Sequence, residues 1–232
     1  MTRGKVGALV EINSETDFVA RNDVFQKFVH GVTEAAVSAG DDVDRLKAAP
    51  FPGSGRNIGD ELTHMIATIG ENMALRRARR IEVKNGVVVS YVHSALAPGL
   101  GKIGVLVALE STGDHGKLAN VGKELAMHVS FANPQSLDVA SVDKAALERE
   151  RNVLREQARA TGKPDNVVEK MVEGRLRKYY EEVVLLEQPF VRDPESRVKQ
   201  VIDAAAKEIG APVRVTQFVR FALGEGIAKE PS

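Results

Sequence analysis

Val6-Gly7-Ala8-Leu9-Val10-Glu11-Ile12 runs through Asn13-Ser14-Glu15-Thr16-Asp17-Phe18-Val19-Ala20-Arg21-Asn22 into Asp23, and its hydrophobic period changes along the way. In the first part Val6, Ala8, Val10 and Ile12 fall on one face of an extended chain and Gly7, Leu9 and Glu11 on the other, which predicts a half-buried strand. From Asp23 onward Phe25, Phe28, Val29, Val32 and Ala36 recur at helical spacing until Gly40, which predicts a helix laid on the sheet. Thr16-Asp17-Phe18-Val19 is then a strand-to-helix loop at a domain rim, and loops there present side chains. An acidic residue beside an exposed aromatic suits contact with another protein: the ring supplies apolar anchoring area and the carboxylate sets the charge. The competing reading is local, with Asp17 as helix cap and Phe18 as hydrophobic staple. Asp23, with Gln26 three residues later, already fits the capping role and favours the contact reading.

Outward from this stretch, residues 41–49 form a short helical pattern, residues 50–59 an exposed loop, and residues 61–69 a further helix with Leu62, Met65, Ile66 and Ile69 on one face. Asn85-Gly86 separates two strand-like runs, residues 79–84 and 87–93, and accepts the positive φ angles of a type I′ turn, which predicts an antiparallel hairpin. Residues 102–110 repeat the opening: Gly104-Val105-Leu106-Val107 echoes Gly7-Ala8-Leu9-Val10, and Ser111 and Asp114 fall opposite Ser14 and Asp17. This self-similarity predicts two related halves, with His115 where Phe18 would be. Leu118, Val121, Leu125 and Val129 mark the next helix, and His128 at the edge of its stripe reads as a core or boundary residue.

The pattern then changes. Leu147, Arg151, Leu154 and Ala158 form one seam, and Val168, Val172, Leu176, Tyr179 and Val183 form its partner across Thr161-Gly162-Lys163-Pro164-Asp165. This predicts an antiparallel coiled-coil hairpin over residues 141–188. Its interspersed charges read as a solvated face. A helix through Val198, Val201, Ile202, Ala205 and Ile209 and a strand alternating Val213, Val215, Val219, Phe221 and Leu223 close the chain. The expected architecture is α+β, with antiparallel sheets flanked by helices. Its divisions are residues 1–116 carrying the loop, residues 117–140 with 189–232, and the hairpin insertion.

Composition bounds the function. The chain has 232 residues, 43% hydrophobic and 28% charged, ample for a core in one or two domains. Lys plus Arg equals Asp plus Glu at 32 each, so no global field draws it to nucleic acid or an anionic membrane. It has no cysteine, which excludes disulfides, thiolate chemistry and sulfur-based zinc sites. No run approaches the roughly 20 apolar residues that span a bilayer, and no signal peptide precedes residue 6, as expected of a cytoplasmic protein. The five histidines are scattered, without ligand or catalytic spacing.

Residues 9–22 resemble the signature of bacterial-type translation elongation factor Ts. Ala126-Met127-His128-Val129, Met171-Val172-Glu173-Gly174-Arg175, Gln188-Pro189-Phe190-Val191 and Phe218-Val219-Arg220-Phe221 match further motifs of that family in the family's order. The resemblance covers nearly the whole chain. It implies a two-part core of antiparallel sheets with a coiled-coil insertion, and guanine-nucleotide exchange on elongation factor Tu in protein biosynthesis. By the same resemblance Thr16, Asp17, Phe18 and Val19 form the loop that disturbs the partner's magnesium site, with Asp17 and Phe18 entering the partner. Ile103, Gly104, His128 and Val191 are further partner contacts, although Arg192 departs from a Met sometimes found beside the last. For Ile103 a buried strand residue is an equal reading, and Gly104 equally serves packing.

The resemblance implies no catalytic residue, no cofactor and no metal. It leaves a homodimer and a 2:2 complex open. Members usually begin with a small helical domain and end with a helical module; here Met1 to Lys5 alone precede the first strand and the chain stops at Ser232, so lower partner affinity with the loop retained is expected. A different class of function, RNA binding through Arg76, Arg77, Arg79 and Arg80, lacks an aromatic stacking platform.

Overall fold

The strand expected at residues 6–12 is β2 (Val6–Ser14), paired antiparallel with β1 (Thr2–Arg3) on one side and β3 (Met73–Glu82) on the other. The computed structural model describes residues 1–227. One face of this sheet carries α1 (Asp23–Ala39), α2 (Val43–Ala48) and α3 (Ile58–Ile69). Ala8 and Ile12 from β2, Phe28 and Val32 from α1, Leu46 and Met65 close a single core with Met73 and Leu75. The other face is also covered: Leu9 packs among Ile81, Val88, Leu106 and Val219 against a second sheet. The half-buried strand expected from alternation is therefore corrected, because the apolar Leu9 on the second face meets a partner layer and not water.

That second sheet is β4 (Gly86–Ala97), β5 (Leu100–Glu110) and β8 (Arg214–Ala222), antiparallel throughout. Its outer face packs on α4 (His115–Ala132) and α7 (Val198–Ile209), with Val105, Val107 and Leu109 against Leu118, Leu125, Val129 and Ile202. The described residues thus stack as helices, sheet, sheet, helices, an α+β arrangement with antiparallel pairing.

Two expectations of pairing are overturned. The runs on either side of Asn85-Gly86 form no hairpin: β3 pairs with β2, β4 pairs with β5, and the chain crosses from one sheet to the other at Asn85. Asn-Gly permits a tight turn without forcing one. Here Ile81 and Val83 meet Val88 and Leu106 face to face, and Gly86 is needed because a Cβ would collide with the Leu109 carbonyl. The tight connection falls instead at Pro98-Gly99, between β4 and β5. The last strand does not keep one face either. Its register slips opposite Ala108 and Leu109, so Val215 and Phe218 face α4 and α7 while Val219 and Phe221 face the first sheet.

Strand pairing crosses the boundary expected at residue 116, since β5 lies before it and its neighbour β8 after it. α5 (Lys144–Arg159) and α6 (Asp165–Val183) pack on each other through Leu154, Ala158, Val168, Val172 and Leu176. Tyr180, not Tyr179, joins that cluster, and Arg151 turns aside to Glu148 at 3.7 Å. The chain then returns through β6 (Pro189–Phe190) and β7 (Asp193–Arg197) to α7.

Candidate functional site

The loop between β2 and α1 is anchored at both ends. Thr16 donates its backbone N–H and its hydroxyl to Glu71, at 3.1 and 2.7 Å, and Ser14 Oγ donates to the Thr16 carbonyl at 3.1 Å. At the far end Val19 is buried in the α1 core, and a short turn, Val19–Arg21, leads into the helix. The helix cap is Asn22, whose Oδ1 accepts from the N–H groups of Val24 at 2.8 Å and Phe25 at 3.3 Å. The expected Asp23–Gln26 capping box is thereby corrected: Asn22 lies one residue earlier with an equally good acceptor, and Gln26 donates to the Ala20 carbonyl at 3.0 Å.

Asp17 and Phe18 stand between these anchors without a cap or staple role. Phe18 is 82% exposed. Among the described residues Asp17 meets only Lys102, at 3.7 Å and in solvent, a pair of little energetic weight. Burying a Phe side chain is worth about 1.5–3 kcal/mol, and this chain leaves that gain unclaimed. The second half shows the contrast: Asp114, opposite Asp17 in the repeat, caps α4 through Lys117 N at 2.8 Å, so no comparable loop projects there.

The other expected contacts divide. Lys102 brings the start of β5 beside Asp17, and with it Ile103 and Gly104. Ile103 is half-buried in the second core, and a Cβ on Gly104 would lie 2.5 Å from Leu9 Cδ1, so this glycine lets the two sheets approach. His128 is fully buried and presents no surface. Its Nε2 donates to Gln188 Oε1 at 2.9 Å, its Nδ1 accepts from Val191 N at 3.1 Å, and its ring stacks on Phe190 at 5.6 Å. Burial pushes its pKa down, partly offset by the Gln188 bond, so the ring is neutral. Gln188 also donates to the Glu182 and Ala132 carbonyls, at 2.8 and 3.3 Å. The two motifs around His128 and Phe190 thus interlock, and His128 positions Val191. Val191 itself is partly exposed, beside an Arg192–Glu124 pair at 2.7 Å.

Two features escaped the sequence reading. Glu11 is 4% exposed and accepts from Arg76 at 2.9 Å, Arg77 Nε at 2.5 Å and the Gly224 N–H at 2.8 Å, tying the first sheet to the turn after β8. Arg79 pairs with Asp41 at 2.9 Å and Arg80 with Glu82 at 2.7 Å, so all four arginines of β3 face carboxylates. Phe131, near the end of α4, is 78% exposed and lies off the apolar stripe that marked the helix. Among the described residues no group of three acidic, His or Cys side chains is placed to hold a metal ion.

The family described as Elongation factor TS matches residues 15–225. The elongation factor Ts of Rhodospirillum centenum is 62% identical over 226 residues, covering 97% of this chain and 74% of the relative. That of Paramagnetospirillum magneticum is 63% identical over 229 residues, covering 99% and 73%. That of Rhodospirillum rubrum is 57% identical over 232 residues, covering 100% and 75%.

Proposed function

Because the chain belongs to the elongation factor Ts family, we propose that it is a guanine-nucleotide exchange factor that binds elongation factor Tu carrying GDP and promotes GDP release in translation elongation. The observation that supports this reading most is an exposed Phe18 and an almost free Asp17 on a loop fixed by Thr16 and Val19. A preorganised loop loses little entropy on docking, so the apolar gain of burying the ring goes into the complex.

In this reading Phe18 enters the partner's nucleotide-binding domain and Asp17 follows, disturbing the elements that hold magnesium and the phosphates. Magnesium demands near-ideal octahedral geometry, so a small displacement of its surroundings weakens GDP binding. Each ~1.4 kcal/mol of coupling lowers nucleotide affinity about tenfold, and nucleotide lowers factor affinity by the same factor. This chain makes and breaks no covalent bond and needs no cofactor; GTP entry then favours release of the factor.

Ile103 and Gly104 support the loop from β5, and Val191 is a second contact held by His128. The α5–α6 pair is an antiparallel coiled coil inserted in the second unit, and the units follow the two sheets, dividing near Asn85. The protein works in the cytoplasm; no helix among the described residues is long and apolar enough to cross a membrane. RNA binding through β3 loses support because its arginines are paired. The test is turnover: a substoichiometric amount of chain must exchange nucleotide on a large excess of elongation factor Tu, and acceleration only at stoichiometric amounts would refute exchange-factor action.

A further inference from the structure

The ladder between β2 and β3 runs through Ile12 against Leu75 and Asn13 against Ala74 and ends at Ser14 against Met73. Continued two residues further, the same register puts Thr16 opposite Glu71. Glu71 belongs to the turn between α3 and β3, directly after Gly70, whose φ of 80° ends the helix. Its side chain takes over the pairing where the ladder stops. Glu71 Oε2 accepts the Thr16 N–H at 3.1 Å and Oε1 accepts the Thr16 hydroxyl at 2.7 Å, so a carboxylate stands in for the next backbone acceptor. Among the described residues this carboxylate makes no other hydrogen bond and no ion pair.

Between that clamp and the buried Val19 stand Asp17 and Phe18 alone. The far side is braced separately, by the Asn22 cap and the bond from Gln26 to the Ala20 carbonyl. With Thr16 released, the nearest fixed point upstream is Ser14 in the ladder, and the free span grows to residues 15–18. Each residue set free regains backbone entropy that docking must remove again. The residue type suits the task. A glutamate offers two acceptor oxygens to the two donors of one threonine, and bonds to an ionised acceptor are roughly twice as strong as neutral ones.

We propose that Glu71 is a positioning residue for nucleotide exchange: it acts through Thr16, holding Asp17 and Phe18 in the docking conformation before the partner arrives. Its consequence for exchange rests on the reading of the chain as an exchange factor; the ordering of the loop does not. A partner that binds the ordered loop finds its apparent affinity reduced by the fraction of chains in which the loop is ordered. Removing the clamp lowers that fraction and leaves intact the side chains that enter the partner. The signature of Glu71 is therefore a higher half-saturating concentration at an unchanged maximal rate. Glutamine keeps one acceptor and loses the charge, so its effect falls between those of glutamate and alanine.

The test measures release of a fluorescent GDP analogue from elongation factor Tu against the concentration of wild-type chain, Glu71→Ala and Glu71→Gln, each shown by circular dichroism to be folded at the assay temperature. For Glu71→Ala the half-saturating concentration rises about tenfold while the maximal rate stands, and Glu71→Gln lies between. In the free chains, NMR order parameters of the Asp17 and Phe18 amides fall from about 0.85 to below about 0.6 in Glu71→Ala, while those of β2 hold. A side chain that merely stabilised the fold would move neither quantity in a folded chain. Unchanged half-saturation beside a wild-type chain that does stimulate release overturns the positioning role, and unchanged order parameters overturn the clamp. A wild-type chain that stimulates no release overturns the exchange reading, and the order parameters still decide whether Glu71 orders the loop.

Discussion

Replacing Glu11 by Ala removes the buried carboxylate that joins β2, β3 and the turn after β8. Three donors lose their acceptor: Arg76, which bonds both carboxylate oxygens, Arg77 and the Gly224 N–H. Breaking a buried ion pair by deleting one partner costs about 3–5 kcal/mol. The lower end applies here, because Arg77 keeps the Ala222 carbonyl at 3.0 Å and the Phe221 ring at 4.1 Å, and Arg76 keeps the Glu225 carbonyl. For a chain of this size each kcal/mol moves the midpoint by about 2–4 °C, so Glu11→Ala lowers Tm by about 6–12 °C at pH 7. Burial alone would raise the Glu11 pKa, but the Gly224 N–H and the two guanidinium groups outweigh it and hold the carboxyl below its ordinary value. A depressed pKa in the folded state contributes stability that is complete above the unfolded value of about 4.3 and is lost as pH falls through the folded one. The gap between the wild-type chain and Glu11→Ala is therefore constant from pH 7 to about 5 and narrows below about 4. Urea unfolding followed by circular dichroism at several pH values measures it. A gap under about 1 kcal/mol at neutral pH, or one that persists unchanged at pH 3, refutes the clamp.

His128→Ala costs about 2–4 kcal/mol through the cavity and the unpaired Gln188, and the Val191 amide resonance moves with it. Because burial lowers the His128 pKa, the native chain loses stability as pH falls below the unfolded value of about 6.5, and thermal melts between pH 7 and 5 show a weaker slope in the variant. Asn22→Ala removes the α1 cap and costs about 1 kcal/mol in the same melts. Asp17→Ala changes stability by less than about 0.5 kcal/mol, since its partner Lys102 is exposed, yet weakens nucleotide release from elongation factor Tu in a stopped-flow assay.

The opening stretch was legible because β2 and α1 have distinct periods and the loop between them has neither. The exposure of Phe18 followed from the same reasoning, even though Asn22 and not Asp23 supplies the cap. Sheet membership was not legible at Asn85-Gly86: a turn dipeptide reports local backbone freedom, and the choice between hairpin and crossing was made by Ile81 and Val88 meeting across two sheets. The bulge opposite Ala108 likewise leaves no local trace, so the alternation in β8 pointed five residues to one face when they occupy two. Glu11 looked like a polar residue on an open face because its three donors come from residues 76, 77 and 224, far along the chain. His128 was expected as a core or boundary residue by its place on the stripe and as a partner contact by resemblance; it is fully buried, and its bonds to Gln188 and Val191 join motifs about 60 residues apart, visible only once α4 and β6 lie together.

The central claim is that Phe18 drives GDP release. The decisive measurement is the rate of release of a fluorescent GDP analogue from elongation factor Tu, with the wild-type chain and with Phe18→Ala at matched, saturating concentrations. Loss of an aromatic anchor worth about 1.5–3 kcal/mol slows the stimulated rate roughly ten- to hundredfold, while the unfolding midpoint stays unchanged because the ring touches solvent. Equal stimulation by the two chains would contradict the account.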